Sequence, residues 1–186
     1  MKRILDIFLA SLAVIILSIP MLIIACLIWI SSPGPIIHWS VRVGRENEKF
    51  NMPKFRTMVI DTPNVASHLL EKPEIWLTPI GKILRKYSLD ELPQLWSIIR
   101  GEMSFVGPRP ALFNQFNLIL LRTNAGVHKL TPGVTGWAQI NGRDNLSIVQ
   151  KVSLDEEYLK YSSVHFDIKI LFLTIFRIAK PNDVSH

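Results

Sequence analysis

Residues Ile4 to Ile30, ILDIFLASLAVIILSIPMLIIACLIWI, carry a single charge, Asp6, in 27 positions. As one straight helix the run would be ~40 Å long at ~1.5 Å per residue, and a hydrocarbon core is ~30 Å thick. It is long enough to span. Two features point to another arrangement. Pro20, with Ser18 close by, stands near the middle and divides the run into pieces each about half a bilayer deep. The flanks are basic on both sides: Lys2 and Arg3 precede the run, and Arg42, Arg45, Lys49, Lys54 and Arg56 follow it. The positive-inside tendency therefore asks for both ends in the cytoplasm. A helix broken at Ser18 and Pro20 that enters one leaflet and returns meets both conditions; a kinked spanning helix is the alternative. A cleaved signal peptide fits less well, because the run is too long and lacks a small-x-small site.

The chain has 186 residues, 21 Lys and Arg against 15 Asp and Glu, and 48% hydrophobic residues. That length suits one domain with a real core. Basic and apolar together indicate an anionic partner at a membrane surface. A nucleic-acid binder would share the charge, but no basic stripe with interleaved aromatics is present. Cys26 is the single cysteine and lies inside the apolar run, so neither a disulfide framework nor a cysteine metal site is available. With five scattered histidines, any metal is a hard cation held by oxygen.

After the apolar run, "SSPGP" (Ser31 to Pro35) reads as a turn, and Ile36 to Met58 as two strands about a Gly44 turn. Val59 to Thr78 reads as a surface loop. Ile80 to Ser88, IGKILRKYS, has helical spacing, and amphipathic spacing returns over Ala111 to Arg122 and Phe166 to Lys180, the latter suited to a membrane interface or to a core. "GEMSFVGPRP" (Gly101 to Pro110) reads as a rigid turn that fixes Arg109 between two prolines, and a fixed guanidinium fork suits a phosphate. The expected class is α+β, mainly helical with a small β element. Residues 1–32 form the membrane helix-break-helix and 33–186 an interface-associated domain.

Ser88 to Trp96, SLDELPQLW, holds two adjacent carboxylates, Asp90 and Glu91. Ser-x-x-Glu before an apolar run is a capping box. Pro93 shifts the expected start, since with Asp90 as N-cap the proline falls in the first turn, where no ladder bond is lost. The helix then runs from Asp90 to about Arg100 and ends at Gly101. Capping and catalysis are both open for Asp90, and one helix start could serve both. A carboxylate is ionised at neutral pH without a base, so it can attack a phosphorus directly if cations neutralise the substrate's oxygens.

The broken apolar helix, "PKFRTM", "SLDELPQLW", "GEMSFVGPRP" and "PGVTGWAQINGR", in that order, closely resemble the bacterial sugar transferases known as monotopic phosphoglycosyl transferases. The likeness runs from Lys2 to about Lys180, and the chain reads as the minimal catalytic form. The resemblance implies transfer of a sugar 1-phosphate from a UDP-sugar to undecaprenyl phosphate, with release of UMP, at the cytoplasmic face of the bacterial inner membrane. It implies Asp90 as nucleophile and Glu91 as a ligand of Mg2+, with Mn2+ as a substitute. Lys54, Arg85, Arg109 and Arg143 fall on basic positions near the phosphates, and Asp167 on an acidic position. Ser18 and Pro20 are separated by Ile19, whereas relatives often have them adjacent. Direct transfer without a covalent intermediate, or a basic membrane-anchored module without catalysis, are the alternatives. The sugar is not legible, and a homo-oligomer is left open.

Overall fold

The computed structural model describes residues 1–62, 73–142 and 145–179. Helix α1 spans Lys2–Ser31 and is long and apolar enough to cross a membrane. It continues through Ser18 and Pro20, so the expected interruption is not an end of helical structure. Pro20 removes one ladder bond, but turns on both sides sustain the helix, and the Ser18 hydroxyl donates to the Ile15 carbonyl at 2.8 Å.

One face of α1 rests on the rest of the molecule along its length. Ala10, with Ala13, Val14 and Leu17, packs against Met52, Leu95, Ile98 and Met103. Ile24 and Ile28, with Met21 and Ala25, pack against Phe55 and Leu84. The opposite face, including Ile15, Ile16, Ile19, Leu22, Trp29 and Ile30, is exposed. Polar groups fasten the first turn: Arg3 donates to the carbonyls of Ile98 and Ile99, and Asp6 accepts from the Phe105 N–H at 3.2 Å.

The hairpin is as expected. Strands β1 (Ile37–Val43) and β2 (Lys49–Phe55) pair antiparallel, joined by a 3-10 turn at Arg45–Asn47. Helix α2 (Pro79–Lys86) is capped by Thr78, and α3 (Gln94–Arg100) ends at Gly101, whose φ of 91° suits a glycine. The stretch expected as a plain turn contains strand β3 (Ser104–Val106). Strand β4 (Ala111–Leu112) adds to β1, giving the order β2-β1-β4. After α4 (Phe116–Asn124), β5 (Gly133–Thr135) pairs parallel with β3. That approach is close, since a Cβ on Gly107 would meet the Thr131 carbonyl oxygen at 2.3 Å.

Helices α5 (Trp137–Ile140), α6 (Ile148–Tyr161) and α7 (Val164–Ala179) complete the chain, and sequence reading had not assigned α6. Ser147 and Gln150 form its capping box. Helix α7 turns Asp167, Ile170 and Thr174 inward, while Lys169 is exposed. Asp167 is buried, Thr174 shares a 2.8 Å hydrogen bond with Thr135, and Ile168, Phe172, Ile175 and Phe176 are exposed.

Candidate active site

Alternation along β1 puts His38, Ser40 and Arg42 on one face, and Lys54 on β2 lies directly across from His38. Facing that row is the link between α2 and α3. Ser88 adopts a left-handed conformation with φ 55°, and Leu89–Glu91 form a single 3-10 turn. Ser88 makes no side-chain cap, and α3 begins only at Gln94 with Pro93 in the N-cap position. The expectation that Asp90 caps a helix is therefore corrected. Ser88 closes α2 by donating its N–H to Arg85, and the chain must turn tightly before Pro93, whose missing N–H is harmless at a helix entrance. Asp90 and Glu91 sit on that turn, with Asp90 8% exposed.

The turn is surrounded by cations. Lys54 Nζ lies 2.6 Å from Glu91 Oε1 and 3.9 Å from Asp90 Oδ2, and Arg109 Nη2 lies 3.2 Å from Glu91 Oε1. Arg85 donates to Thr57 Oγ1 at 3.0 Å and adds its charge to the field at Asp90. Burial raises the Asp90 carboxyl above the usual carboxylate range, against the pull of Lys54; the charge of Glu91 also raises it, and Arg85 and Arg109 oppose. Burial likewise lowers the Lys54 ammonium. Two carboxylates thus face Lys54, Arg85 and Arg109, which sequence reading had grouped together.

Arg42 joins them, although it had been read only as part of a basic flank. Burial and the neighbouring Arg109 bring its guanidinium down to about 10, against a smaller upward pull from Glu91. His38 is held below its ordinary value by partial burial and by Lys54, Arg42 and Arg85. The period-2 spacing of His38, Ser40 and Arg42 was the available signal; which face met Asp90 was not.

Behind the site, Arg122 donates from Nε and Nη2 to Asp155 Oδ2 at 2.9 and 2.7 Å, and from Nη1 to the Arg109 carbonyl at 2.7 Å. With Pro108 and Pro110 on either side, this holds the Arg109 backbone in place. Asp167 belongs to a different cluster. It accepts from Lys2 Nζ at 2.5 Å and from the Tyr158 hydroxyl at 2.6 Å, tying α1, α6 and α7 together. Arg143 lies outside the described residues.

A family model described as bacterial sugar transferase matches residues 1–181. The chain belongs to that family. Among bacterial sugar transferases it is similar to the UDP-glucose:undecaprenyl-phosphate glucose-1-phosphate transferase of Escherichia coli K12, at 41% identity over 95% of this chain and 40% of that protein. The UDP-galactose-lipid carrier transferase of Erwinia amylovora is 37% identical over 97% of the chain and 40% of its own length. An uncharacterized sugar transferase of Bacillus subtilis 168, EpsL, is 37% identical over 96% of the chain and 87% of its length. The chain thus spans about 40% of the two longer relatives.

Proposed function

We propose that this transferase moves a sugar 1-phosphate from a UDP-sugar to undecaprenyl phosphate, releasing UMP, through a covalent intermediate on Asp90. The observation that carries the reading is the buried Asp90, set beside Glu91 within a ring of Lys54, Arg85, Arg109 and Arg42. The relatives' names support the substrate classes, since one specifies glucose 1-phosphate transfer with UDP-glucose and undecaprenyl phosphate and the other names UDP-galactose and a lipid carrier.

A carboxylate oxygen of Asp90 bonds to the phosphorus that bears the sugar. The bond from that phosphorus to the bridging oxygen breaks, and its electron pair leaves with UMP. A phosphate oxygen of the lipid then attacks the same phosphorus, the acyl phosphate bond breaks, and Asp90 is regenerated as carboxylate. Both attacking groups are already anionic, so neither step needs a base. Lys54, Arg85 and Arg109 neutralise the diphosphate oxygens that would otherwise repel Asp90. One diphosphate linkage replaces another, so later enzymes that consume the product set the net direction.

Glu91 and Asp90 offer carboxylate oxygens only, and among the described residues no cluster of three or more His, Cys, Asp or Glu forms. That donor chemistry fits Mg2+ or Mn2+ shared with substrate phosphates, held chiefly by Glu91. When bound, such an ion supplies further neutralisation of phosphate charge.

The exposed apolar faces of α1 and α7 support seating in one leaflet at the cytoplasmic face of the inner membrane. Because both halves of α1 pack on the same domain, the reading of a re-entrant anchor is favoured over a spanning one. The active site then sits near headgroup depth, where the lipid phosphate resides.

Protein given UDP-sugar without lipid tests the covalent step. UMP should appear in a burst no larger than the enzyme concentration, and intact mass spectrometry should find the sugar phosphate on Asp90. EDTA should abolish transfer and Mg2+ should restore it. An active enzyme with no burst and no adduct means direct transfer, and undiminished turnover in EDTA removes the metal.

A further inference from the structure

Asp6 is the one charge between Ile4 and Ile30, and the proposed chemistry makes no use of it. A carboxylate in such a run is costly unless a partner receives it. Asp6 is 7% exposed, and its Oδ1 accepts from the Phe105 N–H at 3.2 Å. Four residues earlier, on the same helix face, Lys2 Nζ donates to the Val106 carbonyl at 2.9 Å. The Tyr158 hydroxyl and Asp167 Oδ2 hold that ammonium in place at 2.9 and 2.5 Å. Two adjacent residues of β3 are therefore gripped from the first turns of α1.

Among the described residues β3 has a strand neighbour on one edge only, β5. On the side that lacks a strand, Lys2 and Asp6 serve backbone groups that would otherwise need partners. From Val106 the chain reaches Arg109 through Gly107 and Pro108, with little slack. The Gly107 N–H donates to the Thr135 carbonyl and the Pro108 carbonyl accepts from the Gly133 N–H, both at 2.9 Å, and the proline fixes its own φ. A shift of β3 is thus carried to Arg109, whose Nη2 lies 3.2 Å from Glu91.

We propose that Lys2 and Asp6 are positioning residues for Arg109, so that the first turns of the membrane helix set the phosphate-binding guanidinium through β3. The inference rests on the transferase reading and adds that the anchor is part of the active-site framework. Lys2 and Asp6 touch no substrate. They hold backbone, and a misplacement of about 1 Å at a binding group costs a large factor in transfer.

Steady-state kinetics of the full chain in nanodiscs, with a double-mutant cycle between positions 6 and 109, test this. Asp6→Ala should raise the KM for UDP-sugar ~5-fold or more, while the KM for lipid changes by less than ~2-fold. Asp6→Asn keeps an oxygen that accepts from the Phe105 N–H, and should stay within ~2-fold of wild type. In an Arg109→Gln background, whose own KM is raised, Asp6→Ala should add nothing, whereas a residue serving stability alone adds its effect in both backgrounds. Arg3→Met frees the same turn from α3 but leaves β3 held, and its KM for UDP-sugar should match wild type. Lys2→Gln carries the same cycle if Asp6→Ala does not fold. An unchanged KM in folded Asp6→Ala, an equal rise in Arg3→Met, or an equal effect with and without Arg109 overturns the positioning role and leaves the transferase reading standing. A wild type that transfers nothing overturns both.

Discussion

Asp90 is a carboxylate that the fold holds at a cost. Burial raises its pKa above that of the unfolded chain. A group whose folded pKa is raised contributes stability that is full below the unfolded value and lost as pH rises through the folded one. At neutral pH the charge on Asp90 therefore opposes folding. Asp90→Asn should raise the thermal midpoint while abolishing UMP release. On the proposed mechanism, the same shift predicts that wild-type turnover falls on the acid side with an apparent pKa above the ordinary ~4 of an aspartate, as Asp90 becomes protonated. Calorimetry of the variant and a pH–rate profile check the pair; a lowered midpoint with retained activity would return Asp90 to a structural role.

At the scale of elements, α4 and α6 are joined by a buried ion pair whose third hydrogen bond reaches the active-site loop. Asp155 is 1% exposed, and Arg122 divides its donors between that carboxylate and the Arg109 carbonyl. Removing one charge leaves the other buried and unpaired, which costs about 3–5 kcal/mol. Asp155→Asn should lower stability by that order and, in the fraction that folds, raise the KM for UDP-sugar through a misplaced Arg109. Chemical denaturation and steady-state kinetics measure the two effects, and a destabilised variant with unchanged KM would separate the pair from the site. Helix α7 illustrates a related point. Its Asp167 and Thr174 point inward because Lys2, Tyr158 and Thr135 are their hydrogen-bond partners there, which leaves Ile168, Phe172, Ile175 and Phe176 exposed.

For the molecule as a whole, α1 decides how the domain meets the bilayer. Arg3 and Asp6 bind the domain at one end, and Ile24 and Ile28 pack on it near the other. On the re-entrant reading proposed above, this helix keeps both its ends on one side of the membrane. A protease-sensitive tag joined ahead of Met1 and a cysteine at Arg45, in a Cys26→Ser background, should both be protected in intact spheroplasts and both be accessible in inverted vesicles. Opposite behaviour of the two markers means a spanning helix and ends the re-entrant reading.

Sequence alone determined the elements whose information is local. Hydropathy over Ile4 to Ile30 marks a membrane-seeking helix, alternation about Gly44 marks the hairpin, and helical spacing marks α2. The motifs also singled out Asp90, Glu91, Lys54, Arg85 and Arg109, which the fold gathers. Tertiary structure decided what those periodicities leave open, namely which face meets which neighbour. It set Asp90 on a tight turn instead of a helix cap, added Arg42 and His38 to the cluster, and gave Asp167 to Lys2 and Tyr158. The reason is separation along the chain. Arg122 and Asp155 are 33 residues apart and Lys2 and Asp167 are 165 apart, and no window of local pattern contains both partners of either pair.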